Sequence, residues 1–131
     1  MRVLALDYGA ARTGVAVSDA TGIIARPLCV VESAGTPAGL ARLREIVREQ
    51  AAEHIVVGLP LTLRGKHGKQ ADETREFVRV LREALGIPVE TYDERYTTAL
   101  ASRDAGEAPE DARAAAHLLA SYLDRNRLED G

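Results

Sequence analysis

The sequence predicts an α/β fold: a five-stranded mixed sheet flanked by helices, with elements in the order βββαβαβαα. Three observations lead there. The first 32 residues hold three apolar runs separated by glycine-bearing turns. After Thr36 the apolar spacing changes to three and four, the helical period. Glycine and proline then mark each later change of element, at Gly58 and Pro60 and again at Gly86 and Pro88.

Val3, Leu4, Ala5 and Leu6 form a continuous apolar run, the pattern of a strand covered on both faces. A turn from Gly9 to Gly14 leads into a second strand, Val15–Asp19, and the short connection makes the pair antiparallel. Thr21-Gly22 turns the chain into a third strand, Ile24–Glu32, where Pro27 points to an edge or a bulge. Thr36-Pro37 is an N-cap and first-turn pair opening a helix over 37–52, with Leu40, Leu43, Val47 and Ala51 on its apolar face. His54–Gly58 reads as a short buried strand. A loop from Leu61 to Lys69 precedes a helix over 70–85, with Phe77, Val78, Leu81 and Leu85 inward and Gly86 as its stop. Pro88–Asp93 is the fifth strand. Thr97 or Thr98 caps a short helix to about Ala105, and Pro109 starts the last helix, striped by Ala115, Leu119 and Tyr122. Without repeats or linkers, 1–131 reads as one domain.

Composition narrows the possibilities. The 131 residues carry 17 Lys+Arg against 20 Asp+Glu, a formal charge of −3. That balance argues against a general coat of positive charge for nucleic acid. No apolar run approaches the roughly 20 residues of a membrane span, and Asp7 comes too early for a signal peptide. A single cysteine, Cys29, fits a reducing, cytoplasmic setting and the role of a small buried hydrophobe. Four tyrosines and one phenylalanine are few for a base-stacking platform.

Open α/β sheets collect their sites at the carboxyl ends of strands. Asp7 ends the first predicted strand and Asp93-Glu94 follows the fifth. Which of Asp93 and Glu94 turns inward is left open by spacing. In the last helix, positions 111, 115, 119 and 122 share the apolar face, whereas 110, 114, 117 and 121 face solvent. Asp111 therefore points toward the sheet, and His117 reads as a surface histidine. Acids gathered at one strand end repel unless neutralised, and oxygen ligands without Cys or paired His favour Mg²⁺ or Mn²⁺, one ion or two. Such ions support phosphodiester hydrolysis by water, with no covalent enzyme intermediate. For phosphate contact the candidates are Arg64, Lys66 and Lys69 in the glycine-flexed loop, Arg12 in the first turn, and Arg95 beside Glu94. Gly9 and Gly14 have P-loop spacing, but no Lys-Ser/Thr follows.

Leu4-Ala-Leu-Asp-Tyr-Gly9 with Thr13-Gly-Val-Ala16, then Ile55-Val-Val-Gly-Leu-Pro-Leu61, then Asp93-Glu-Arg-Tyr-Thr-Thr98, resemble the YqgF family, also called RuvX. These are Holliday-junction resolvase-like, pre-rRNA nucleases, and the likeness spans nearly the whole chain. It implies a ribonuclease H-like fold and a metal-dependent nuclease that processes the precursor of 16S ribosomal RNA. It also implies a metal site of Asp7, Glu94 and Asp111, which decides for Glu94 over Asp93. The segment before Asp111, Gly106-Glu-Ala-Pro-Glu110, departs from the family by being short and acidic. Tyr96 stands where an aliphatic residue is commoner and reads as packing.

The expected partner is nucleic acid, structured RNA before DNA, with the protein acting as monomer or homodimer and away from membranes. A branched-DNA resolvase and a non-catalytic RNA- or ribosome-associated factor are the competing expectations. Two bound divalent cations would shift the formal charge from −3 to +1.

Overall fold

The computed structural model describes residues 1–61, 68–97 and 108–130. The short helix expected up to Ala105, together with Arg64 and Lys66, lies outside them. Within the described residues the elements are β1 (Val3–Asp7), β2 (Arg12–Ser18), β3 (Ala25–Glu32), α1 (Pro37–Gln50), β4 (His54–Leu59), α2 (Lys69–Leu85), β5 (Val89–Asp93), a 3₁₀ turn (Glu94–Tyr96) and α3 (Glu110–Asp130).

One five-stranded sheet results, ordered β3-β2-β1-β4-β5. The hairpin strands are antiparallel, whereas β4 lies parallel to β1, and β5 parallel to β4. Pro27 sits on the edge strand β3, where the register against Val15 and Ala16 skips a residue. Both outcomes follow from a ring that has no N–H to give the ladder.

Helix signals read from sequence hold locally. The Thr36 hydroxyl accepts from the Gly39 N–H at 3.2 Å and caps α1, and Gly86 ends α2 with φ 68°. α1 stops two residues earlier than its spacing implied, because Ala51 adopts the left-handed conformation and caps it. Its buried face runs through Leu43 and Ile46, with Leu40 and Val47 partly covered.

Strand residues alternate between two cores. Leu4, Leu6, Val15, Val57 and Val89 face α1 and α2, meeting Leu43, Ile46, Phe77, Val78 and Leu81. Val3, Ala5, Ala16 and Val56 face α3, meeting Ala115, Leu118, Leu119, Tyr122 and Leu123. By the same alternation Asp7 ends β1 on the α3 side.

Candidate active site

Asp7 stands at the centre of the sheet, and its neighbours on both sides are glycines. Gly14 of β2 is its antiparallel partner. Gly58 of β4 follows Val57, which pairs with Leu6, and so lies alongside Asp7. Each glycine leaves room for something specific. A Cβ on Gly14 would lie 1.8 Å from the Asp111 carbonyl oxygen, so the bare strand lets the start of α3 settle on the sheet. A Cβ on Gly58 would lie 2.5 Å from Glu94 Oε1, so that strand position is a cradle for the Glu94 carboxylate. Glycine within a strand signals such close approach, whereas the sequence pattern has Gly14 closing a turn and Gly58 ending a strand.

The turn after β1 is closed by Thr13, fully buried, whose hydroxyl donates to the Gly9 carbonyl at 3.3 Å and accepts from its N–H at 3.5 Å. β2 begins at Arg12, which is therefore a strand residue rather than the tip of a turn. Arg12 Nε meets Asp111 Oδ2 at 3.0 Å.

After β5 the choice between Asp93 and Glu94 is made by the backbone. Asp93 is the N-cap of the 3₁₀ turn, its Oδ1 accepting from the Arg95 N–H at 2.9 Å, and it also holds the Arg95 guanidinium, with Nη2–Oδ2 at 2.6 Å. Glu94, one residue on, turns to hydrogen-bond with Asp7. The Arg95 guanidinium, expected to orient Glu94 or take phosphate, is held by Asp93 in this structure.

Burial penalises both inward carboxylates. Asp7 is raised from the ordinary range first by desolvation and further by the negative charge of Asp111, against the lowering effect of its bond with Glu94. Glu94 is pushed up to about 7, by burial first and then by the charge of Asp7. The pair therefore holds one shared proton around neutrality, Glu94 donating to Asp7. Asp111 sits near enough to act on Asp7 electrostatically, but its carboxylate pairs with Arg12. Among the described residues no three acidic, histidine or cysteine side chains converge on one point.

Asp7 and Glu94 line a cleft of about 270 Å³ with Thr97, Ala114 and Leu118. This corrects the expected solvent face of the last helix. Ala114 lines the cleft, the Nε2 of His117 is buried without a hydrogen-bond partner, and Ser121 bonds the Tyr92 hydroxyl at 2.7 Å. The cause is the chain after β5, whose residues 94–97 return over that side of α3. Thr97 Oγ1, also buried without a partner, belongs to the same cleft.

A second cluster lies beyond it on the same side of the sheet. His54 Nε2 meets Glu90 Oε1 at 3.0 Å and the Tyr122 hydroxyl at 3.3 Å. Tyr122 is pushed up to about 12 by burial and by Glu90, so it remains a donor at neutral pH. Tyr96 is not packed as expected: it is 48% exposed, with the Arg125 guanidinium 3.7 Å from its ring centre. Lys69, expected in the loop, is the exposed first residue of α2.

With this geometry the chain can be set beside known proteins. The family model described as "RuvX: Holliday junction resolvase" matches residues 1–125. Proteins named "Putative pre-16S rRNA nuclease" are similar along most of their length. That of Moorella thermoacetica is 40% identical over 95% of this chain and 96% of its own, and that of Syntrophomonas wolfei is 40% identical over 98% and 97%. Among solved structures, Thermus thermophilus RuvC bound to a Holliday junction superposes with a TM-score of 0.67 at 21% identity, covering 98% of this chain and 96% of RuvC. The fowlpox virus resolvase with its junction DNA gives 0.50 at 10% identity, covering 99% and 98%. These structural likenesses fix the fold as that of the ribonuclease H-like resolvases. The sequence match, running from the strand that ends in Asp7 to the body of α3, carries the further conclusion that this chain belongs to the RuvX family.

Proposed function

We infer that this protein is a nuclease that hydrolyses phosphodiester bonds with a divalent cation, Mg²⁺ or Mn²⁺, and that its substrate is the precursor of 16S ribosomal RNA. The observation that carries the reading is the Asp7–Glu94 pair, two partly buried acids held together by a glycine cradle at the ends of β1 and β5. Such a pair is unfavourable by itself. An oxygen-only donor set of this kind suits a hard cation, which relieves the repulsion and the desolvation that raise both groups. The whole chain, 1–131, is read as one catalytic unit, and the names of the 40%-identical relatives support the choice of substrate.

Asp7 and Glu94 would hold the cation, with Asp111 as third ligand. When bound, it supplies Lewis acidity toward a phosphate oxygen and lowers the pKa of an attacking water. The protein's own residues do the rest. Gly58 keeps the Glu94 carboxylate against Asp7. Without the shared proton, both acids would offer oxygen ligands to a cation. Were Asp111 to join them, Arg12, now paired with it, would be a guanidinium beside the cleft for a substrate phosphate. Lys69 at the start of α2, with Arg64 and Lys66 before it, would track the backbone of the strand.

One purified preparation tests the reading against a structured RNA, a single-stranded DNA and a four-way DNA junction, with Mg²⁺ and with Mn²⁺. Cleavage of the RNA by the wild type, lost in Asp7→Asn, is expected. Preferential junction cleavage would make the chain a resolvase. Equal cleavage by the variant, or none by the wild type, would contradict the proposed chemistry.

A further inference from the structure

Three of the four tyrosines that looked too few for stacking are gathered in one place. Tyr92, Tyr96 and Tyr122 line a pocket of about 340 Å³ together with Glu90, Arg125 and Asn126, along the edge strand β5 and the second half of α3. The rings support one another: Tyr92 and Tyr122 meet edge to face at 5.6 Å, and Tyr92 and Tyr96 lie 5.9 Å apart. Hydrogen bonds fix the arrangement. Ser121 accepts from the Tyr92 hydroxyl at 2.7 Å and donates its own proton to the Tyr96 carbonyl at 3.0 Å. Glu90 is anchored by His54, and Tyr122 engages Glu90 and Asn126.

The geometry points to a subsite for one unstacked nucleobase, the base of a nucleotide next to the bond that is cut. Three features select that occupant. The pocket adjoins the cleft directly, because the single 3₁₀ turn Glu94–Tyr96 sends Glu94 into the cleft and Tyr96 into the pocket. Its wall combines an exposed ring, a guanidinium already lying over that ring and an amide, which take a flat π-system and its carbonyl acceptors. Thr91, Glu90 and Asp93 complete the lining, and carboxylate lone pairs not taken by His54 and Arg95 accept from the amino or imino edge of a base. The site therefore takes the base, and leaves the phosphate to the cleft. The location of the strand rests on the nuclease reading, whereas the capacity to bind a base does not.

Two measurements separate these. In the first, an RNA oligonucleotide carrying 2-aminopurine is titrated with metal-free protein, and quenching of its fluorescence reports stacking. Quenching by wild type and Tyr96→Phe, with affinity about tenfold weaker for Tyr96→Leu, is expected. Equal quenching by all three overturns the subsite. In the second, Tyr96→Leu is compared with wild type on a cleaved RNA and on versions made abasic at each nucleotide flanking the cut. The substitution is expected to raise KM about tenfold, with kcat within about twofold. That penalty should vanish on one abasic substrate and persist on the others. A penalty the same on every substrate, or none, overturns the proposal. If RNA is not cleaved at all, the quenching result still decides the subsite, and it is the nuclease reading that falls.

Discussion

On one face of the sheet, α1 and α2 set Leu43, Ile46, Phe77 and Leu81 against Leu4, Leu6, Val15 and Val57, every one nearly free of solvent. On the other, α3 meets the same strands with Ala112, Ala115, Ala116 and Leu119 over Ala5, Ala16 and Gly14. Large side chains hold the first pair of helices at a distance and fill the gap. Small ones let α3 come down until its backbone at Asp111 touches the strand. That close approach brings a third acid toward Asp7 and Glu94, and the apolar burial around it is what raises both carboxylates. The large-residue face contributes stability, and the small-residue face gives up part of it to assemble a site.

Breaking the two faces should therefore have different consequences. Leu81→Ala, in the large-residue core, is expected to lower the unfolding free energy by about 2–5 kcal/mol while leaving cleavage near wild type at temperatures where the variant is folded. Denaturant unfolding read alongside activity checks both halves. Gly14→Ala sets a methyl against the Asp111 backbone, so α3 must move, and a loss of about 1–3 kcal/mol is expected together with reduced cleavage. Gly58→Ala meets the side chain of Glu94 rather than backbone, so cleavage should fall by on the order of 10²-fold with little change in Tm. If Gly58→Ala destabilised as much as Gly14→Ala, the cradle account would fail.

The acid pair predicts an unusual pH dependence. Glu94 titrates near 7 in the folded protein and near 4.5 when unfolded. Between these values the folded state binds more protons, so the pair makes metal-free protein less stable as pH rises from about 4.5 through 7. Thermal unfolding in a chelator should show Tm falling across that window, and Glu94→Gln should flatten the fall. The smallest effect is expected of Arg12→Ala, which removes a largely exposed ion pair and should cost under about 1 kcal/mol, while binding of nucleic acid weakens.

Much of the architecture was legible because local chemistry dictates it. The β1 run, the Thr36-Pro37 cap, the Gly86 stop and the edge position of Pro27 each follow from one or two residues. The site was less so. Helical phase turned Asp111 toward the sheet, where its backbone meets Gly14 and its carboxylate pairs with Arg12, yet the same phase put positions 114, 117 and 121 in solvent, because no periodicity within a helix reports that residues 94–97 fold back over it. The three-residue turn Glu94–Tyr96 is too short to leave a periodic signal. It nonetheless makes Asp93 a cap and Glu94 the partner of Asp7, the distinction that sequence spacing left open. The tyrosine pocket joins residues up to 36 positions apart in the chain, and only the pairing of β5 beneath α3 brings them together.

The central claim is that the small-residue face holds a divalent cation on Asp7 and Glu94. Calorimetric titration of the protein with Mn²⁺ at pH 8 and pH 6 tests it most directly. The account predicts saturable binding that is tighter at pH 8, where Glu94 has lost its proton, and that disappears in both Asp7→Asn and Glu94→Gln. Binding of equal strength in the wild type and the two variants would contradict it.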